Sequence, residues 1–442
     1  MRLIIHPGKP LRGEITLPGD KSISHRAALF AALANGKSCI DNFLVAGVTR
    51  VMLKTLSQMS VSWTLHGDTL TVNGDGLEGL RAPAVPLDCG NSATTMRLLT
   101  GALAAAGLPA MLDGSPSLRR RPMKRLVEPL RSMGVPIHAM ANGSPPLRLS
   151  FRPSHQPLRG IDYTLPVASA QIKTALLLAA LAGDRPTILH EPGPSRDHSE
   201  RMLARMGAHL ICSKSEGQYT VSLIQQRPAN LIPLSLSVPG DFSSAAFLIV
   251  AALIIPGSHI TIRNVGLNPT RTGLLDALAA MGAQVQVTSQ EESGGEPVGD
   301  LMVGYSSLAG IQVEAPLVVR MIDEFPVFAV AAAFARGQTV VSQAEELRHK
   351  ESDRITILCK ELRALGVNVD EAPDGFSIHG GKLLPGGNAH AHGDHRLGMA
   401  LAVAGLAAGK TVCIAGAEVI AESYPGFVQA LGGLGASVKE LP

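Results

Sequence analysis

Two segments of this chain place carboxylates and a lysine at spacings suited to proton transfer. Residues 321–327 read MIDEFPV and residues 347–358 read LRHKESDRITIL, which puts Asp323 in one and Lys350, Glu351, Asp353 and Arg354 in the other. Taken alone, the second segment is a charge cluster entering a helix, with Ser352 or Asp353 as its cap. Brought to one site with Asp323, the same residues supply a general acid and a general base, provided burial and cationic neighbours drive their pKa values apart.

A second set is cationic. Residues 90–101 (GNSATTMRLLTG) and 113–126 (DGSPSLRRRPMKRL) place Arg97 on a helix and Arg119, Arg120, Arg121 and Lys124 on a loop entering the next one. A solvated turn would mix signs, whereas here five cations are followed by a carboxylate only at Glu128, a pattern that suits an anionic ligand. Six Ala-rich stretches open with Asp20-Lys21-Ser22, Gly90-Asn91-Ser92, Ser169-Ala170-Gln171, Asp241-Phe242-Ser243, Asp323-Glu324 and Asp394-His395-Arg396. Asp, Asn and Ser are ordinary helix caps there. The cations are not: Lys21, Arg26, Arg97 and Arg396 fall in first or second turns, where the helix dipole is already positive. Each costs a few tenths to about 1 kcal/mol unless an anion lies nearby. Three such helix ends from each of two domains would converge on a small ligand carrying several negative charges.

The elements that position these residues follow from an internal repeat. LPGDKSISHRAALFAALANGKS (17–38) and VPGDFSSAAFLIVAALIIPGSH (238–259) nearly superimpose, and the outline recurs from Gly90, Ala168, Asp323 and Asp394. Each of the six units runs from an Ala-rich helix to a β-branched strand (SCIDNF, AMLDG, TILHE, ITIRNV, TVVSQ, TVCIAG) and on to an amphipathic helix ending near Met-Gly or Leu-Gly. Pro-Gly-Asp joints at 18–20 and 239–241 divide the units three and three. The expected fold is α/β with two similar domains, one of residues 20–238 and one of residues 239–442 joined by the N-terminal strand 1–19.

Composition narrows the function. Of 442 residues 45% are apolar but only 3% aromatic, which disfavours a base-stacking platform, and a net charge of +3 is too small for a counterion-release nucleic-acid binder. The longest apolar run, AAFLIVAALII at 245–255, is far short of the ~20 residues that span a bilayer and reads as a helix buried all round. The start MRLIIHPGKPLRGE lacks a signal-peptide pattern, and Cys39, Cys89, Cys212, Cys359 and Cys413 form no C-x-x-C pair. Reduced thiols in a cytoplasmic protein are expected, with no nucleic-acid or membrane partner. Gly36-Lys37-Ser38 is not a phosphate loop, because Ala31 stands where its first Gly belongs. Residues 74–79 match G-x-G-x-x-G, yet LRAPAVPLD follows, and the segment reads as turn glycines. His390, His392 and His395 lack metal-ligand spacing, and no metal is expected.

Over its whole length the chain resembles the 5-enolpyruvylshikimate-3-phosphate synthase family of enolpyruvyl transferases. The likeness rests on PGDKSISHRA (18–27), DCGNSATTMRLLTG (88–101), LRRRPMKRL (118–126), LPVASAQIKTALLLA (165–179), PSRDH (194–198), PGDFSSAAF (239–247), MIDEFPV, LRHKESDR (347–354) and GDHRLGMA (393–400). It implies an inside-out α/β barrel of two domains, each with three folding units. It also implies transfer of the enolpyruvyl group of phosphoenolpyruvate to the 5-hydroxyl of shikimate 3-phosphate, by a monomer without metal or organic cofactor. Shikimate 3-phosphate would then meet Lys21, Ser22, Arg26, Ser169, Ala170, Gln171, Arg196, Asp323 and Lys350. Phosphoenolpyruvate would meet Lys21, Asn91, Ala93, Arg121, Gln171, Arg354 and Arg396, with Arg97 supporting the Asn91 turn. Asp323, Glu351 and Lys21 would be catalytic.

Three positions depart from the family pattern. Ala93 replaces the usual Gly, so glyphosate should inhibit this enzyme less strongly than its Ala93→Gly variant. Glu422 stands where some relatives carry a lysine, and Glu346 lies near a position some fill with Asn. A UDP-N-acetylglucosamine enolpyruvyl transferase is disfavoured by Lys21-Ser22 and by the absence of a loop cysteine in SPSLRRRP. A binding-only protein is disfavoured by Asp323, Lys350 and Glu351.

Overall fold

The computed structural model describes residues 1–442 except 154, 216 and 225–229. Those residues form two compact units. The first comprises Met1–Pro18, Pro239–Glu292 and Pro297–Pro442; the second comprises Gly19–Val238 and Ser293–Glu296. Among the described residues there are six four-stranded sheets.

One sheet of the second unit illustrates the repeat. Its strands lie in the order Asp162–Thr164, Thr187–Glu191, Gln218–Leu223, Leu210–Ser215, the first pair parallel and the others antiparallel. A parallel pair needs a crossover, and the Ala-rich helix supplies it. The same strand roles recur in every sheet, though not always from consecutive chain. Ser235–Ser237 pairs with Asn35–Asp41 to complete a sheet of the second unit. In the first unit Arg2–His6 lies between Val412–Ala415 and Ser437–Leu441, and Arg12–Thr16 pairs with His259–Gly266.

Apart from single turns at Gly76–Gly79 and Leu317–Arg320, the α-helices in chain order are α1 (Lys21–Leu33), α2 (Gly47–Gln58), α3 (Ala93–Ala106), α4 (Lys124–Ser132), α5 (Ala170–Ala180), α6 (His198–Arg205), α7 (Phe242–Ile254), α8 (Gly273–Ala280), α9 (Phe325–Phe334), α10 (Arg354–Ala364), α11 (His395–Leu406) and α12 (Phe427–Gly433). The odd-numbered helices are the Ala-rich ones and form the core of each unit; every residue of α7 and α11 is buried. Helices buried on all sides need no polar face, so they show little amphipathic pattern. The even-numbered helices bury one side only, as α4 does with Leu126, Val127, Pro129 and Leu130. No described helix is long and apolar enough to cross a membrane. The single turn at Gly76–Gly79 begins at Gly76, which has φ 69°, and directly follows the strand Thr69–Asp75.

Small residues let the core helices approach closely. A Cβ added to Gly101 of α3 would lie 2.4 Å from the Ala175 carbonyl oxygen and 2.7 Å from the Ala175 Cα on α5. One helical turn earlier on each helix stand Arg97 and Gln171, so this contact places their side chains opposite one another. Gly101→Ala is therefore expected to lower stability by about 1–3 kcal/mol by overpacking, read as a drop in the urea midpoint. An unchanged midpoint would show that the helices have room to part.

Candidate active site

The residues singled out from the sequence divide between the units. In the second unit, the Asp20 carboxylate caps α1 by accepting from the Ile23 N–H at 2.8 Å, which places Lys21 and Ser22 in the first turn. Arg26 lies one turn further, 1% exposed. Its Nη1 donates to the Ser22 carbonyl at 3.0 Å, Nε to Ser199 Oγ at 2.7 Å, and Nη2 to Thr174 Oγ1 at 3.0 Å and to the Ala170 carbonyl at 3.4 Å. One guanidinium thus ties α1, α5 and α6 together through neutral groups. Burial above all, then the like charge of Arg196, lowers its pKa to about 10, against the carboxylates of Glu200, Asp20 and Glu296. Arg196 Nη1 donates to Ser22 Oγ at 3.2 Å. Ser22, Arg26, Ala170 and Arg196 are therefore gathered at one place. Ser169, ahead of α5, makes no side-chain capping bond.

The next cluster surrounds the start of α3. Gly90 has φ 54°, a left-handed conformation that residues with side chains seldom adopt. Asn91 Oδ1 accepts from Ser115 Oγ at 3.1 Å, and Ser92 Oγ accepts from the Thr95 N–H at 3.1 Å. Ala93, the first helical residue, is 3% exposed. Gln171 is held at both ends of its amide: Oε1 accepts from Arg97 Nη1 at 2.6 Å and Nε2 donates to Thr94 Oγ1 at 2.8 Å. Arg97 Nη2 also reaches the Pro122 carbonyl at 3.3 Å, beside Arg121. Arg97 thus supports this turn, and Gln171 is part of the same framework.

In the first unit the centre is Arg354, the first residue of α10 and 3% exposed. Its Nε donates to Asp394 Oδ2 at 2.8 Å, Nη2 to Glu351 Oε2 at 2.7 Å, and Nη1 to Asp323 Oδ1 at 3.3 Å. Arg396 grips Asp323 a second time, with Nη2 at 3.2 Å from Oδ2 and Nη1 at 3.3 Å from its carbonyl oxygen. Asp394 caps α11 by accepting from the Arg396 N–H at 3.0 Å. Burial opposes its ionisation, but Arg354 and His395 outweigh that and hold its carboxyl below the ordinary value. Lys350 lies 3.8 Å from Glu346, and burial pulls its pKa down despite the carboxylates of Glu346, Asp323 and Glu351. Of the two caps open in the sequence, Asp353 is the one used, accepting from the Thr356 N–H at 3.1 Å.

Some sequence expectations change. The dipole argument asked for an external anion near Arg396, whereas the protein's own Asp323 provides one. The basic run is not a single anion-binding face: Arg119 Nε donates to Asp113 at 2.8 Å and Lys124 lies 3.5 Å from Glu128, both ordinary surface pairs. Arg121 alone of these turns inward, at 8% exposed. Among the described residues no group of His, Cys, Asp and Glu is placed to hold a metal ion, and His392 Nε2 instead lies 2.8 Å from Glu361. Sequence reasoning missed His25. Its Nδ1 lies 2.8 Å from the Lys21 carbonyl, so the proton sits on Nδ1 and Nε2 faces the Ser92 hydroxyl at 3.4 Å. Its i,i+4 spacing from Lys21 was the available signal.

A family model described as EPSP synthase (3-phosphoshikimate 1-carboxyvinyltransferase) matches residues 5–431. A curated 3-phosphoshikimate 1-carboxyvinyltransferase of Xanthomonas campestris pv. campestris is 48% identical over 440 residues, covering 99% of this chain and 98% of its own. One from Acidithiobacillus ferrooxidans is 46% identical over 435 residues, covering 96% of each. Among solved structures, EPSP synthase from Acinetobacter baumannii matches with TM-score 0.86 and 38% identity over 99% of both chains. The enolpyruvyl transferase NikO from Streptomyces tendae, at TM-score 0.79 and 20% identity over 99% of this chain and 98% of its own, shares the fold.

The buried His25 makes stability depend on pH. Burial chiefly, then the charges of Lys21 and Arg26, pushes its pKa from 6.5 down to about 4, against its hydrogen bond to the Lys21 carbonyl. The unfolded chain then binds this proton more readily than the folded one. The stability of the neutral ring is present above pH 6.5 and is lost as pH falls toward 4, by about 3 kcal/mol in all. In urea titrations the stability gap between wild type and His25→Gln should narrow across that window. Parallel curves would contradict it.

Proposed function

The chain belongs to the EPSP synthase family, and from that membership we propose how its own residues divide the work of 3-phosphoshikimate 1-carboxyvinyl transfer. The reaction joins the 5-hydroxyl of shikimate 3-phosphate to the phosphate-bearing carbon of phosphoenolpyruvate and releases phosphate. Both substrates are multiply anionic. The phosphate of shikimate 3-phosphate is assigned to Lys21, Ser22, Ser169, Arg196 and the start of α5 at Ala170. Arg26 acts mainly by fixing Ser22, since its hydrogen bonds go to neutral protein groups. Phosphoenolpyruvate is assigned to the Asn91–Ala93 turn, Arg121, Gln171, Arg354 and Arg396. Lys350 completes the shikimate 3-phosphate set on the first unit.

The observation that carries the proton assignments is that Asp323 and Glu351 meet on one guanidinium, that of Arg354. In the addition step the 5-hydroxyl oxygen bonds to the phosphate-bearing carbon while its proton passes to Asp323, and Glu351 delivers a proton to the methylene, giving a methyl group. In the elimination step the methyl returns a proton and the carbon–oxygen bond to phosphate breaks, with Lys21 steadying the departing anion. Positive groups fixed before the substrates arrive stabilise the developing charge without reorganisation. The same reading makes the protein a cytoplasmic, monomeric enzyme, in keeping with five cysteines that are all free thiols.

Phosphate release from phosphoenolpyruvate, with shikimate 3-phosphate or UDP-N-acetylglucosamine offered separately, tests this directly. Release is expected with the first acceptor only. Asp323→Asn and Glu351→Gln should each lower kcat by about 10²–10⁴-fold while shikimate 3-phosphate still binds. Near-normal turnover in either variant would remove that residue from proton transfer.

A further inference from the structure

Behind the second unit's cationic cluster lies a lysine that the proposed chemistry does not use. Lys173 of α5 is 1% exposed, and its Nζ lies 2.6 Å from Glu191 Oε1 and 2.6 Å from Glu200 Oε1. The ammonium also reaches the Ser195 carbonyl at 3.4 Å, and the Ser195 hydroxyl donates to the other oxygen of Glu191. Ser195 directly precedes Arg196. On the far side of the same loop, Thr174 bonds Ser199 Oγ at 2.5 Å, and Ser199 accepts from Arg26. Two consecutive residues of α5 therefore hold both ends of the segment that carries Arg196.

A buried amine between two carboxylates is a poor way to stabilise a core, because desolvating three charges consumes most of their attraction, and well-packed apolar replacements are often as stable or more so. Its strength lies in geometry: the contacts of Lys173 with Glu191, Glu200 and the Ser195 carbonyl, and of the Ser195 hydroxyl with Glu191, specify one position for the loop. Burial opposes the charge on Lys173, but Glu200 and Glu191 outweigh it and raise its pKa, so the ammonium persists. Burial raises the pKa of Glu200 against the pull of Lys173, and its carboxylate, when ionised, favours the charged form of Arg26.

We propose that Lys173, with Glu191, Glu200 and Ser195, is a positioning residue that fixes the 192–197 loop so that Arg196 meets Ser22, and thereby sets the affinity for the phosphate of shikimate 3-phosphate. This rests on the assignment of Arg196 above. The lysine touches no substrate.

The test is a double-mutant cycle on the full-length enzyme, with shikimate 3-phosphate affinity measured by calorimetry and kcat and the phosphoenolpyruvate KM measured alongside. Lys173→Met should weaken shikimate 3-phosphate binding by about tenfold and leave kcat and the phosphoenolpyruvate KM within about threefold. In an Arg196→Met background the same substitution should have no further effect on affinity. A merely structural lysine would lower the melting temperature and leave that affinity unchanged, which would overturn the proposal. If Arg196→Met itself leaves the affinity unchanged, it is the assignment of Arg196 that fails. Should Lys173→Met not fold, Ser195→Ala removes only the hydroxyl contact to Glu191: a weakened affinity for shikimate 3-phosphate supports the proposal and an unchanged one overturns it.

Discussion

Arg354 stands at the first position of its helix, where unbonded N–H groups already make the surroundings positive, and it is 3% exposed. An arginine survives there only if anions come to it. Asp394, Glu351 and Asp323 do so, and together they outweigh burial and raise its pKa. Asp394 carries a double duty, because the carboxylate that pairs with Arg354 also caps α11. Breaking a buried pair of this kind by removing one partner costs about 3–5 kcal/mol, since the remaining charge is stranded. The lock between α10 and α11 fixes the guanidinium that Glu351, three residues ahead of it, and Asp323, just ahead of α9, both meet.

The second unit solves a similar problem by different means. Arg26 is as deeply buried, yet its hydrogen bonds end on hydroxyls and carbonyls, so no carboxylate among the described residues cancels its charge at contact distance. Its carboxylates stand back, with Glu200 and Glu191 gathered around Lys173. One unit thus concentrates acids around a guanidinium, and the other presents cations beside hydroxyls and a helix start. On the proposed assignment the first unit moves protons and the second holds the phosphate of the acceptor.

The repeats were legible because each repeats a physical requirement. A helix enclosed on every side must be small and apolar, and its first turn must be capped, which is why Pro-Gly-Asp followed by an Ala-rich run could be read in the chain at Asp20 and Asp241. The four side-chain caps at Asp20, Ser92, Asp241 and Asp394 follow that logic. Ser169 and Glu324 open their helices without such a cap. Less legible was anything settled by distant contacts. Residues 293–296 join the second unit through His198–Glu296 at 2.7 Å and Arg201 to the Gly295 carbonyl at 2.8 Å, partners about a hundred residues away. The Lys173 trio escaped notice for the same reason, and the basic run at 119–124 misled because Asp113 and Glu128 reach it only once the chain has folded.

The most direct test is the rate of phosphate release from phosphoenolpyruvate with shikimate 3-phosphate when Arg354 is replaced by Met, measured beside the affinity of the same variant for shikimate 3-phosphate. A fall in kcat/KM of at least about a hundredfold, with the acceptor still bound at near wild-type affinity, is the predicted result. A variant that turns over normally, or that loses only its grip on the acceptor, would contradict the central place given to this guanidinium.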